Sequence, residues 1–268
     1  MRAYCSLNGF MTSITFLGTG TSSGIPVIGC TCDVCRSADP RDKRSRTSAV
    51  VRTQGRVLLI DTATELRIQA LAVGLDHIDA VLFTHAHADH TGGFDDLRRF
   101  NELAQRHLPV YAGPETAQIL RERFAYAFSD VFPFYGGKPD LLLNVVDGPF
   151  TVDGIEITPL PVWHGQMRVF GYRIGDLAYV TDAKEIPAET RALMTGLDVL
   201  VLNALRERPH PTHLSLSEAV EIICELKPKR ALLIHLSHEL SHQAAQRQLP
   251  PGIEVAYDGL TVETGESD

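Results

Sequence analysis

Long apolar runs are missing from this chain. No stretch of about 18 consecutive apolar residues occurs in it, so no transmembrane helix is expected. Positive charge is in deficit: 25 Lys and Arg face 33 Asp and Glu, a formal net charge of −8. A protein that coats nucleic acid regardless of sequence carries the opposite sign, so no long nucleic acid is an expected partner. Cysteine is scarce and odd in number, five residues in all. That count, with the tight grouping of Cys30, Cys32 and Cys35, excludes a disulfide framework in a chain this long and points to metal binding. No linker rich in Pro, Gly or Ser divides the chain, and no short internal repeat occurs. The N-terminal MRAYCSLNGFMTSITFLGTG has too short an apolar stretch for a signal-peptide core, and no small-residue cleavage site follows. A cytoplasmic protein is expected.

What is present is globular. Hydrophobic residues at 44% and charged residues at 22% exclude wholesale disorder and fibrous repeats. The length suits one large domain spanning residues 1–268, with 1–12 as an optional extension ahead of the strand-like Ile14–Leu17. Short β-rich apolar runs bounded by Gly, Pro or Asp predict buried strands at Ile14–Leu17, Val57–Ile60, Ala80–Phe83, Ile155–Leu160, Ala178–Val180, Val199–Leu202 and Ala231–Ile234. Helical patterns fall at Glu65–Val73, Phe94–Gln105, Pro114–Ala127, Ala188–Gly196 and Ser215–Leu226. The first strands read as a meander, and strand and helix alternate later. Phe128–Asp140 is aromatic and turn-rich. It reads either as a lid beside a site or as an ordinary packed connection.

The decisive segment is Thr84-His85-Ala86-His87-Ala88-Asp89-His90, between the strand Ala80–Phe83 and a helix. Residues two apart in an extended segment face the same way, so His85 and His87 can share one metal. Asp89 and His90 fall on the turn into the helix and can face a second. Three histidines and an aspartate within six residues have no simple packing rationale. His164, Asp182 and His235 each follow a buried strand, where a sheet edge meets a cleft. They complete a set: His85, His87 and His164 on one metal, Asp89, His90 and His235 on the other, Asp182 bridging.

HAHADH with the later His164, Asp182 and His235 resembles the metallo-β-lactamase superfamily over roughly Ile14 to Leu260. That resemblance implies an α/β protein, a four-layer αββα sandwich with a dinuclear site at one edge. Gly18-Thr19-Gly20-Thr21-Ser22-Ser23-Gly24-Ile25-Pro26, leading into Gly29-Cys30-Thr31-Cys32-Asp33-Val34-Cys35, is similar to the phosphonate-pathway (PhnP-like) phosphoribosyl cyclic phosphodiesterase group. The likeness implies a structural zinc on Cys30, Cys32, Cys35 and His238, a closed tetrahedral set. It also implies that His213, in Pro211-Thr212-His213-Leu214-Ser215, is the general acid. His210 is the rival for that role.

The activity implied is a metal-dependent phosphodiesterase acting on small cyclic or nucleotide-like phosphodiesters such as a ribosyl 1,2-cyclic phosphate. Two divalent ions, zinc or manganese, lower the pKa of a water to give a hydroxide that attacks phosphorus. Asp89 and Asp182 hold the metals as catalytic carboxylates, and His213 protonates the leaving alkoxide. Relatives suggest a homodimer, though no exposed stripe demands one. The alternatives are an RNA-processing nuclease, which needs an added arm or basic patch, and a thioester or lactam hydrolase, which explains neither His213 nor the cysteines. An oxygen-reducing di-iron protein usually replaces a ligand histidine by a carboxylate, whereas His87 is kept here. A non-catalytic, zinc-stabilised binding protein is the reading from another class. Among weaker residues, Asp61 either orients a ligand histidine or caps Glu65–Val73. Arg46, Arg206 and Arg208 either meet phosphate or are simply solvated. His77, His107 and His242 read as surface residues.

Overall fold

Runs such as Val57-Leu58-Leu59-Ile60 are apolar at every position, the pattern of strands covered on both faces. The computed structural model, which describes residues 11–129 and 137–264, shows why. The strands are β1 (Ser13–Gly18), β2 (Ser48–Thr53), β3 (Arg56–Ile60), β4 (Ala80–Phe83), β5 (Leu108–Ala112), β6 (Leu141–Val145), β7 (Phe150–Val152), β8 (Ile155–His164), β9 (Met167–Ile174), β10 (Leu177–Val180), β11 (Val199–Asn203), β12 (Arg230–Ile234), β13 (Ile253–Val255) and β14 (Thr261–Glu263). They form two seven-stranded sheets, ordered β14-β1-β2-β3-β4-β5-β6 and β13-β12-β11-β10-β9-β8-β7. In the first sheet β1, β2 and β3 are antiparallel, and β3 through β6 are parallel. In the second, β7 through β10 are antiparallel and β10 through β13 parallel.

Successive side chains point to opposite faces of a strand. Leu58 and Ile60 therefore enter a core between the two sheets with Phe16, Leu82, Tyr172, Tyr179 and Ile234. Val57 and Leu59 enter a second core under Leu66, Leu97, Phe100 and Leu120 of the outer helices. The second sheet repeats this, with Val180, Leu202 and Leu233 packed against Leu216, Ala219 and Ile223 of the helix Leu216–Leu226. Three apolar layers separate helix, sheet, sheet and helix, which is the expected αββα sandwich.

The predicted strands are all present with their ends moved by a few residues. Seven strands were not predicted: β2, β5, β6, β7, β9, β13 and β14. Three of them, β7, β13 and β14, have three residues each, too few for a periodic signal. Phe94–Gln105 begins as a tight turn over Phe94–Asp96 before the helix Leu97–Ala104. Pro114–Ala127 breaks at Phe124 into Pro114–Arg123 and Ala125–Phe128. There the Phe124 ring stacks on Phe94 with centroids 4.0 Å apart. The expectations for residues 1–10 and for most of Phe128–Asp140 fall outside the described residues. Among the described residues no helix is long and apolar enough to cross a membrane.

Candidate metal centre and active site

Parallel strands β3, β4, β10, β11 and β12 all end at one edge of the sandwich. The residue after each of β3 and β12 is Asp61 and His235, and Asp182 follows β10 by two. These three have positive φ, 59°, 59° and 56° respectively. Non-glycine residues in the left-handed region cost roughly 1–3 kcal/mol each and persist where surrounding structure holds them. All three meet at this edge.

Hydrogen-bond direction decides which nitrogen His85, His90 and His164 present. The Thr84 hydroxyl donates to Asp61 Oδ2 at 2.7 Å. It must then accept from His85 Nδ1, 3.0 Å away, which leaves His85 Nε2 bare. Asp61 Oδ2 also accepts from His90 Nδ1 at 2.7 Å, again freeing Nε2. His164 donates Nδ1–H to the Thr212 carbonyl at 2.7 Å. His235 meets a hydroxyl at each ring nitrogen, Nδ1 at 2.9 Å from Thr47, which itself donates to the Gly20 carbonyl, and Nε2 at 3.2 Å from Thr21, so hydrogen bonds hold this ring without singling out one nitrogen. Orientation of ring nitrogens by an outer partner is a general feature of metal-binding histidines.

The candidate ligands fall into two groups sharing Asp182: His85, His87, His164 and Asp182, and Asp89, His90, Asp182 and His235. Within each group all donor atoms lie within 4.8 Å of one another. Asp182 faces both groups with different oxygens. Its Oδ2 is 3.6 Å from His85 Nε2 and 3.9 Å from His164 Nε2. Its Oδ1 is 3.5 Å from His90 Nε2 and 3.2 Å from His235 Nδ1. His90 Nε2 is buried and has no hydrogen-bond partner. Asp89 Oδ2 lies 3.4 Å from it. A cation at normal bond lengths and a tetrahedral angle holds N and O about 3.4 Å apart. The residues fit a pair of divalent ions on these atoms.

Electrostatics agree. Burial opposes charge on His90, but Asp182 and Asp61 outweigh it and raise its pKa well above the usual value. A cation placed there supplies the positive charge that the carboxylates otherwise draw from a proton. Burial, then the neighbouring His90, holds His85 well below its ordinary value, so it stays neutral as a ligand must. Burial likewise pushes His235 down to about 4. Burial raises the Asp182 carboxyl, yet His235 and His90 overcome it, and the carboxylate is held well below the usual range.

The cysteine cluster closes around His238. Its Nδ1 is 3.2, 3.5 and 3.7 Å from the sulfurs of Cys30, Cys32 and Cys35. Zinc bound tetrahedrally to thiolate and imidazole sets S and N about 3.6 Å apart. The backbone N–H of Cys35, foremost, lowers Cys32 to about 6, favouring the thiolate that a metal needs. Cys32→Ser is expected to remove one metal per chain and lower the thermal midpoint, while any folded protein keeps the metals of the other two donor groups. Elemental analysis beside a melting curve checks this, and loss of every metal from a folded variant contradicts independent sites.

His213 lies against the same space, its Nε2 3.2 Å from Asp182 Oδ2. Its Nδ1 is 3.2 Å from His210 Nδ1. Burial, then the His213 charge, lowers His210, and His210 Nδ1 accepts the Thr212 N–H at 3.3 Å. His213 Nδ1 also lies 2.9 Å from the Thr212 hydroxyl, and these partners on the Nδ1 side leave Nε2, which faces Asp182, as the working nitrogen.

Outside the donor groups, one expectation fails and the open ones are decided. Asp61 is buried against His90 and Thr84 and caps no helix. His242 is buried, not a surface residue: Arg44 Nη2 lies 3.3 Å from its Nδ1. His77 and His107 are exposed but paired with Asp76 and Asp140. Arg46 pairs with Glu65, and Arg206 and Arg208 with Glu239, so none of the three is a free cation. Thr47 and Thr212 carried no sequence signal, because Thr47 meets His235 across 188 residues and Thr212 acts through its backbone carbonyl, whereas Thr84 adjoins His85 and only its link to Asp61 was hidden.

Two facing mixed sheets with histidine and aspartate donors at one edge define the class. The family model for the beta-lactamase superfamily domain matches residues 56–236, and the chain belongs to that superfamily as a metal-dependent hydrolase. A crystal structure described as a new diphosphatase from the PhnP family superposes with a TM-score of 0.88 at 41% identity, covering 94% of this chain and 97% of that one. Within the superfamily this chain is PhnP-like. An octanoyltransferase of Porphyromonas gingivalis (strain ATCC BAA-308 / W83) is 43% identical over 91% of this chain, which spans only 50% of that relative's length. A ribonuclease Z of Mycobacterium sp. (strain KMS) is 26% identical over 88% of this chain and 80% of its own.

Proposed function

We propose that the chain is a phosphodiesterase for small cyclic or nucleotide-like phosphodiesters, such as a ribosyl 1,2-cyclic phosphate. The observation that carries this reading is Asp182, whose two oxygens face the two donor groups while His213 Nε2 sits 3.2 Å from one of them. His85, His87, Asp89, His90, His164, Asp182 and His235 would hold divalent ions, which would supply Lewis-acid polarisation of a phosphoryl oxygen and a water acidified towards neutral pH. Asp182 sets the spacing of the two groups by spanning both. Asp61, Thr84 and Thr212 keep the ligand rings from turning. His213, its Nδ1 against the Thr212 hydroxyl and His210, gives a proton from Nε2 to the departing alkoxide. The cysteine site holds Cys30–Cys35 to the segment after His235 and so stiffens one wall of the cleft. It is assigned a structural zinc on its three-thiolate, one-imidazole donor set.

The diphosphatase description of the PhnP-family structure favours a second reading, cleavage of a phosphoric anhydride. Its leaving group is a phosphate, which departs without much help from an acid. One panel separates the two: metal-loaded protein with bis-p-nitrophenyl phosphate, cyclic ribosyl and nucleoside phosphates, nucleoside diphosphates and a short RNA. Turnover of cyclic esters supports the leading reading, and turnover of anhydrides alone supports the second. No phosphodiester turnover with zinc or manganese sinks the leading one.

A further inference from the structure

Four of the five ligand histidines are held at a ring nitrogen by a residue outside the donor groups: His85 by Thr84, His90 by Asp61, His164 by the Thr212 carbonyl and His235 by Thr47. His87 is the exception. Among the described residues its ring meets only His85, with Nδ1 3.1 Å from Nε2, and His85 is a fellow member of the donor group. It is also the exposed member of its group. A ring without an outer partner takes its direction from its backbone.

That backbone is gripped on both sides. Arg123 Nη1 is 2.5 Å from the Ala86 carbonyl, in the peptide that sets φ of His87. The same nitrogen donates to the Thr91 hydroxyl at 2.8 Å. Thr91 in turn donates to the carbonyl of His87 itself at 2.9 Å, in the peptide that sets ψ. His87 sits at φ −62° and ψ 152°. One guanidinium therefore fixes one flanking peptide directly and the other through a hydroxyl. Arg123 ends the helix Pro114–Arg123, and the next residue, Phe124, is stacked on Phe94. The base of the side chain is thus anchored. No carboxylate forms an ion pair with Arg123 among the described residues, in contrast to Arg46, Arg206 and Arg208.

We propose that Arg123 is a positioning residue for His87, holding its flanking peptides in place of the missing ring partner. It thereby sets the affinity of the His85, His87 and His164 group for its ion. This rests on His87 being a metal ligand, but not on the identity of the substrate. Removing an outer partner of a metal-binding histidine typically costs about 10- to 100-fold in metal affinity. Arg123→Met is expected to weaken one of the two active-site positions by about 10-fold, at the low end of that range because the effect passes through backbone. Arg123→Lys, which keeps one donor, should recover part of the loss, and Thr91→Val should lose less than Arg123→Met.

The measurement is competition for zinc between a chromophoric chelator and protein whose active-site metals have been removed. The thermal midpoint of the stripped protein and the occupancy of the cysteine site are followed in parallel. The expected result is a loss at one position, an unchanged midpoint and a full cysteine site. In a His87→Ala background Arg123→Met should add no further loss, since the two act as a unit. Unchanged affinity in Arg123→Met overturns the proposal, as does a loss that persists in the His87→Ala background. An equal loss at all positions with a lowered midpoint also overturns it, because that is the mark of a general packing role. If Arg123→Met does not fold, Thr91→Val decides: unchanged affinity there removes the relay. Absence of phosphodiester turnover would leave these binding results standing, so the two readings fail separately.

Discussion

Asp182→Ala is expected to abolish hydrolysis and to empty or weaken both halves of the paired donor site. The side chain is buried, and each of its oxygens lies against a different group of donors. No neighbouring carboxylate can span both, since Asp89 belongs to one group and Asp61 is committed to His90 and Thr84. Bound ions of this kind supply several kcal/mol of transition-state stabilisation, so the fall in kcat/KM should reach about 1,000-fold or more. Elemental analysis should show the loss in the paired site while the cysteine site remains filled. A variant that keeps both active-site metals at full affinity would remove Asp182 from the bridging role.

His213→Ala is expected to keep both metals and slow the reaction by about 100- to 10,000-fold, the usual worth of a positioned general acid. The effect should depend on the leaving group. It is largest for a ribose alkoxide, which must be protonated, and smaller for p-nitrophenolate, which departs as a stable anion. Comparing kcat for a cyclic ribosyl phosphate and for bis-p-nitrophenyl phosphate reads this directly. Equal slowing of both means that His213 positions the phosphoryl group and does not donate a proton. His210→Ala should give a milder loss, because the Thr212 hydroxyl, 2.9 Å from His213 Nδ1, still holds that ring. A larger, leaving-group-dependent loss in His210→Ala would transfer the acid to His210. On an anhydride substrate, His213→Ala should matter much less.

Much of the architecture was legible because both sheets are covered on both faces. Their central strands are continuous apolar runs with sharp polar ends, as in Val57–Ile60 followed by Asp61 and Ala231–Ile234 followed by His235. The edge strands were harder to read. β6 leaves Leu142 and Val145 about half exposed, and β14 has three residues. The Phe94–Gln105 and Pro114–Ala127 patterns ran through breaks that helical periodicity cannot register. At Phe124 the chain leaves the helix where the ring stacks on Phe94, a contact between separate helical segments.

The sequence by itself determined the chemical types at the site and their order along the chain: imidazoles and carboxylates in HAHADH, then His164, Asp182 and His235, and three thiols near the start. Donor type follows from residue identity, and position at a strand end follows from local hydrophobic pattern. Only the tertiary structure decided which nitrogen His85, His90 and His164 present and what holds each ring there. Asp61 meets His90 across 29 residues, Thr212 meets His164 across 48, and Thr47 meets His235 across 188. Arg123 reaches Ala86 across 37. A hydrogen bond is set by distance and direction in space, and strands that end at one edge bring those partners together whatever their separation in the chain.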